Sequence, residues 1–383
     1  MATIILGSYM VRYPLGGNLS WALQYLFGFK ELGHDIYFVE KYVHSDSCYD
    51  PAKQVLSDDC SYGVKVVSDL LTHYGMENKW CYVEQGEIYH GLSKKEINDV
   101  FKRADIYIEN GAHGAWDEES TSSSALRIYI DVDPAYTQIR FDYASTHGIS
   151  IPDYDRYYTN GLNVGKAGNI IPTAGINWAY IFNPVNTGLF NRTTPPIKAP
   201  YSTIMNWKSY ESIEYKGITY GQKDVEFEKF ISLPKLVNVP VEVAVSGLHI
   251  AKENELREKG WSINSAQKVT FSFNSFRKYL SNCKGEFSVC KNMYTATCSG
   301  WFSDKSAAYM ANGRPVVVQD TGFSKYLPVG EGLFAVADVN EAKNAIEIIE
   351  SDYDWHCKKA WEIGCEYLDA KKVLRKFLNE LGV

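Results

Sequence analysis

The chain has no apolar run approaching the roughly 20 residues that a membrane-spanning helix needs, and none is expected to cross a bilayer. Met1-Ala2-Thr3 leads straight into the strand-like Ile4-Ile5-Leu6 without the basic start of a signal peptide, so the expectation is a cytoplasmic protein without a membrane partner. Its eight cysteines, at 48, 60, 81, 283, 290, 298, 357 and 365, form no CxxC pair, and no histidine stands at zinc-finger spacing. Reduced thiols are expected. Basic residues are the minority, 39 against 46 acidic, for a formal charge of −7. That balance argues against a generic nucleic-acid coat but leaves room for a locally basic cleft. Between Gly7 and Gly17 no compact GxGxxG follows the first strand, which weighs against a dinucleotide-dependent oxidoreductase. No clear acidic metal motif appears, and no metal is expected.

What is present is an ordinary globular composition on a chain of 383 residues, too long for one core and suited to two domains. The first, 1–190, opens as a doubly wound α/β domain. Thr3 to Leu6 reads as a strand closed by Gly7-Ser8, and Leu19, Leu23, Leu26 and Phe27 recur at helical spacing up to Leu32-Gly33. Ile36 to Val39 reads as the next strand, which makes a βαβ unit with its ligands expected at the strand ends. Two further strands end at Asn110-Gly111-Ala112-His113-Gly114 and at Asp131-Val132-Asp133-Pro134. His113, in its glycine-flanked loop, is a candidate for catalysis or sugar binding, with Glu109, Asp131 and Asp133 close in topology. Between Phe182 and Pro200 the composition turns to Asn, Thr, Pro and Lys, as a linker does. A second domain over 200–365 follows, and 366–383 reads as a helix that packs back on the first domain.

The richest stretch runs from Gly285 to Gly332. Ser303-Asp304 caps a helix whose apolar positions Ala307, Ala308, Tyr309 and Met310 end at Asn312-Gly313, and Pro315 to Val318 forms a buried strand closed by Gln319-Asp320-Thr321-Gly322. Such a helix points free backbone N–H groups into a crevice, and Ser299-Gly300 with Thr321-Gly322 allow the close approach that a diphosphate needs. Lys291, at the end of the preceding strand, is a candidate cation for charge compensation. Gln319 and Asp320 are candidates for holding sugar hydroxyls, and Glu331 for accepting hydrogen bonds from a ribose.

The run Ser299-Gly300-Trp301-Phe302 through Ala311-Asn312-Gly313-Arg314-Pro315-Val316-Val317, followed by Gly330 to Ala335 and an amphipathic stretch from Asp338 to Glu350, resembles the donor half of GT-B glycosyltransferases. The resemblance extends from about Ile4 to about Leu378 and is nearest to bacterial and phage members, through Gly16 to Trp21, Asp131 to Pro134, Tyr220 to Lys223, Gly285 to Val289, Ser299 to Asp304 and Gln319 to Phe323. It implies a GT-B fold, two Rossmann-like domains facing a central cleft, and transfer of a sugar from a nucleotide-sugar donor, most commonly a UDP-sugar, to a hydroxyl. It also implies that Gly16-Gly17 lets the backbone approach the donor phosphates and that Lys223 neutralises the leaving diphosphate. Retaining enzymes of this fold often carry two glutamates where this chain has Gly300 and Ala308. With retention the acceptor proton passes to the departing phosphate; with inversion, His113 or Asp133 is the first candidate base. The implied acceptor is a small molecule or glycan, or 5-hydroxymethylcytosine in DNA. An epimerase of the same fold and a non-catalytic sugar-nucleotide binder stay open.

Overall fold

The computed structural model of the chain describes residues 1–114, 116 and 125–383. Two sheets organise it. The N-terminal sheet runs from edge to edge as Trp178–Tyr180, Arg156–Thr159, Leu126–Asp131, Ile106–Asn110, Thr3–Gly7, Asp35–Lys41, Trp80–Glu84 and Ile88–Gly91, parallel throughout except for the last, antiparallel pair. The C-terminal sheet is wholly parallel, in the order Ser262–Ser265, Val241–Ser246, Tyr201–Asn206, Gly285–Ser288, Val316–Gln319 and Leu333–Val336. Numbered by appearance, these six strands follow the 3-2-1-4-5-6 order of doubly wound nucleotide-binding sheets.

The central strands show why the pattern is parallel. Ile4, Ile5 and Leu6 have no exposed surface, as befits a strand covered by helices on both faces rather than an alternating, half-wet one. The helix Gly16–Glu31 is buried on nearly every side, because it is enclosed by the sheet, by the helix Phe273–Asn282 and by the helix Ala370–Leu381. That last helix turns Val373, Leu374, Phe377 and Leu378 inward and lies against Gly16–Glu31. Residues at the very end of the chain thus help cover its first helix.

Gly16 forms part of the joint between the two halves. Its N–H donates to the Thr270 carbonyl at 2.6 Å, and a Cβ added there would lie 2.3 Å from the Ser272 carbonyl oxygen. Gly17, one residue on, has nothing within 4 Å of such an atom. The two neighbours therefore differ in role, one packed against the C-terminal half and one open to the space between. In the C-terminal half, Ser303 caps the helix Asp304–Ala311 by accepting from the Lys305 N–H at 3.1 Å. Its apolar face, Ala307, Ala308, Tyr309 and Met310, is buried, and Gly313 ends the helix with φ +69°.

Candidate active site

In open α/β sheets a ligand site forms outside the carboxyl ends of the strands, where the strand order reverses. Here one reversal falls between Thr3–Gly7 and Ile106–Asn110, the other between Tyr201–Asn206 and Gly285–Ser288. Loops from both open onto one cleft of about 1270 Å³, more than a typical small-molecule pocket and enough for two substrates. Among the described lining side chains five are cations, Arg12, Arg140, Lys223, Lys291 and Lys305, against two carboxylates, Asp133 and Asp304. The chain is acidic overall, so this concentration of positive charge is local.

On the N-terminal side, buried carboxylates shape the loops. Glu40, at the end of its strand, has no exposed surface and accepts from the backbone N–H groups of Met10, Val11 and Arg12 at 2.7 to 3.0 Å and from Arg12 Nε at 2.8 Å. Burial pushes its carboxyl up while Arg12 and the three N–H donors pull it down. Arg12 also donates to the His113 carbonyl, which ties the two loops at this reversal together. Glu109 does similar work, accepting from the Gly114 N–H at 2.7 Å and the Tyr107 hydroxyl at 2.5 Å. The His113 ring stacks obliquely on Tyr9 with centroids 4.1 Å apart, and Trp21 meets it edge-on. Burial, reinforced by Arg12 and Arg140, pushes the His113 imidazole down to about 3, so it is neutral at physiological pH.

Asp133 crosses the cleft. Its carboxylate takes the Lys291 ammonium at 2.7 Å and the Tyr294 hydroxyl, both from the C-terminal half. Lys291 is further enclosed by the rings of Tyr210, Tyr136 and Tyr294, at 4.6, 5.1 and 5.2 Å. Asp131, behind Asp133, is fully buried and held by Gln138, Thr159 and the Asp133 N–H.

The C-terminal side holds two more lysines. Lys305 reaches the fully buried Glu286 at 2.7 Å and donates to Thr203 Oγ1 at 2.6 Å and Ser288 Oγ at 2.9 Å, so it is satisfied from within its own sheet. Lys223 differs: among the described residues its ammonium has no carboxylate and no hydrogen-bond partner. Burial, and then the neighbouring Lys305 and Lys291 charges, push it down to about 7. An unpaired cation pressed by two others is a site that an anion would stabilise. Asp304, at the first turn of its helix, also faces the cleft; burial raises its carboxyl, against the pull of Lys305 and Lys223.

Of the residues singled out from sequence, His113, Asp133, Lys223, Lys291, Gly17, Ser303 and Asp304 come together on the cleft. Gly16 packs behind it. Ser299, Gly300, Gln319, Asp320, Thr321, Gly322 and Glu331 are not among the lining residues. Gly300, at φ +79°, lies against Leu162 and Asn163, and Gly322 against Asn163, so this pair of turns seats a loop of the N-terminal half. Gln319 is tied to Glu226 and to the Cys290 N–H, Asp320 caps the Gly322 and Ser324 N–H groups, and Glu331 is exposed beside Lys359. Sequence reasoning passed over Tyr9, Arg12, Arg140, Tyr210 and Lys305, and met Trp21 only as the end of a family motif. Lys305 carried a signal, two residues after the helix cap; Arg12 carried none, because its partner Glu40 lies one strand away.

The chain has the GT-B fold, and glycosyltransferases are among the solved structures it matches over nearly its whole length. One is an alpha-glucosyltransferase in complex with UDP and a 13-mer DNA, at 11% identity and TM-score 0.58, with 99% of each chain covered. Another is Anabaena Alr3699/HepE in complex with UDP and glucose, at 11% identity and TM-score 0.56, with each chain covered completely at 100%. A third is the pneumococcal O-GlcNAc transferase GtfA in complex with UDP and GlcNAc, at 12% and TM-score 0.52, covering 100% of this chain and 99% of that one. No family model and no curated protein sequence matches the chain. No helix among the described residues is long and apolar enough to cross a membrane.

Proposed function

We propose that the protein is a glycosyltransferase that binds a nucleoside-diphosphate sugar, a UDP-sugar in the first instance, and moves the sugar to an acceptor hydroxyl. The observation that carries this reading is the Lys223 ammonium, unpaired among the described residues and under the charges of Lys291 and Lys305, on the cleft beside a 3-2-1-4-5-6 sheet. Three cations there stabilise charge that develops on a leaving diphosphate, in a cleft partly closed to water. The solved neighbours that carry UDP support the choice of nucleotide.

Asp304 refines the picture. A carboxyl group beside the helix start disfavours a second anion at that point but accepts hydrogen bonds from sugar hydroxyls well. The diphosphate then lies toward Lys223 and Lys291, and the sugar lies at Asp304. The acceptor enters past Tyr9, Tyr13, Trp21 and Tyr49, rings suited to stacking on a sugar or a base.

Retention of configuration fits the ionisable groups. Asp133 is committed to Lys291 and Tyr294, Asp304 is assigned to the sugar hydroxyls, and His113 is a weak base beside two arginines. Among the described residues no side chain is poised to deprotonate an acceptor strongly, so the proton passes to the departing phosphate. No metal is assigned to this step, since the lysines compensate the charge.

The experiment offers a panel of nucleotide sugars to the protein with two classes of acceptor, duplex DNA containing 5-hydroxymethylcytosine and small hydroxyl compounds. Free nucleoside diphosphate and acceptor mass are followed. Release that depends on one acceptor, with a matching mass gain, supports transfer and identifies the class. Altered donor sugar without release favours an epimerase, and binding without chemistry favours a sugar-nucleotide binder.

A further inference from the structure

Away from the cleft, Cys60, Glu84 and His90 bring thiol, carboxylate and imidazole to one point. Cys60 immediately precedes the helix Ser61–His73, Glu84 ends the strand Trp80–Glu84, and His90 lies on the antiparallel edge strand Ile88–Gly91. One potential ligand atom from each lies within 4.8 Å of the others. His90 Nε2 is 2.9 Å from Glu84 Oε2 and 3.9 Å from Cys60 Sγ, so the same ring nitrogen faces both partners.

The spacing can be compared with what a metal would impose. A tetrahedral zinc with Zn–S of about 2.3 Å and Zn–N of about 2.0–2.1 Å holds sulfur and nitrogen about 3.6 Å apart. The observed 3.9 Å needs a shift of only a few tenths of an ångström. An ion pair explains the 2.9 Å contact of His90 with Glu84 on its own, whereas a buried thiol beside the same nitrogen adds the soft donor of a zinc set. None of the three residues lines the cleft.

We propose that Cys60, Glu84 and His90 form a Zn(II) site, with a water as fourth ligand, that fastens the base of the 42–60 arm to the edge hairpin of the N-terminal sheet. The arm has a reason to be fastened. It contains the hairpin of Cys48–Asp50 and Val55–Ser57, and it delivers His44, Tyr49 and Leu56 to the cleft wall. The Tyr49 hydroxyl accepts from Gln267 Nε2 at 2.7 Å, so the arm also touches the C-terminal half. Cys48 Sγ lies 3.5 Å from the Tyr82 hydroxyl, which secures a second point on the same sheet edge. Coordination at Cys60 would pin the end where the arm rejoins the fold.

The full-length chain, stripped with a chelator, is titrated with Co(II) and then with Zn(II). The expected result is a near-ultraviolet thiolate-to-cobalt band that saturates at one ion per chain and is reversed by zinc. The band should disappear in Cys60→Ala and His90→Ala and persist in Cys298→Ala, which removes an exposed thiol elsewhere. Glu84→Gln serves if Cys60→Ala fails to fold: it should keep the band and weaken the affinity. Zinc should raise the unfolding temperature of the wild type but not of His90→Ala. A missing band, a band unchanged in both Cys60→Ala and His90→Ala, or unaltered affinity in Glu84→Gln overturns the site. None of these readouts depends on sugar transfer.

Discussion

Lys223→Met replaces the unpaired ammonium with an apolar group of similar length. In the free protein the lysine is pushed down to about 7, so half the molecules carry the charge at pH 7 and about 1% at pH 9. A bound diphosphate favours the charged form and returns the group toward its ordinary 10.5. Between pH 7 and 9 the affinity for UDP should therefore fall about 50-fold, the ratio of the two free-state populations. The nucleotide cannot mimic this trend, since ionisation of a terminal phosphate near pH 6 strengthens binding to cations as pH rises. At pH 7, losing a charge-assisted hydrogen bond costs about 1.5–3 kcal/mol, and Lys223→Met should bind UDP roughly 10- to 150-fold more weakly with no slope. Stability runs the other way. Between pH 7 and 10.5 the unfolded chain holds the proton that folded Lys223 has lost, so wild-type stability contains a component that rises with pH. Lys223→Met lacks that component and should be no less stable at pH 7. Isothermal titration at pH 7, 8 and 9, with thermal unfolding of both proteins, gives all of these quantities. An affinity that holds or rises from pH 7 to 9 in the wild type, or an equal slope in the variant, refutes the reasoning.

Lys305→Ala leaves Glu286 as a buried carboxylate without its cation and should cost about 3–5 kcal/mol in denaturant unfolding. Adding Glu286→Gln should return much of that loss. Gly16→Ala forces a methyl group into the Ser272 carbonyl and should lower the unfolding temperature, whereas Gly17→Ala meets open space and should leave it unchanged. His113, pushed down to about 3, should place no ionisation of its own between pH 5 and 8 in the kcat/KM profile of the free enzyme, and His113→Asn should leave the shape of that profile intact in that range. Retention is checked by the anomeric configuration of the product in a proton NMR spectrum.

Local signals made much of the fold legible. Ile4 to Leu6 and Val316 to Val318 are continuous apolar runs that only two-sided burial accommodates, and Ser303 and Asp338 announce their helices by capping them. The edge strand Ser262–Ser265 was not legible, because Ser-Ile-Asn-Ser is a strand by its pairing with Val241–Ser246 rather than by propensity. The site divides the same way. Lys291 could be named from its place at a strand end, and Lys223 and Gly17 from the family resemblance. The glycines at 300 and 322 looked like a phosphate cradle but receive Leu162 and Asn163, a contact between residues more than a hundred positions apart. Whether a tight turn admits a ligand or a neighbouring loop is decided by tertiary packing. Cys60, Glu84 and His90 were invisible for the same reason, since their spacing matches no linear metal motif.

The central claim is that the donor diphosphate rests on the Lys223, Lys291 and Lys305 cluster. A crystal structure with UDP tests it most directly. The account predicts diphosphate oxygens within hydrogen-bond distance of Lys223 Nζ and of at least one of the other two ammonium groups, with the sugar side of the nucleotide directed toward Asp304. A nucleotide bound elsewhere, with Lys223 still unpaired, would contradict it.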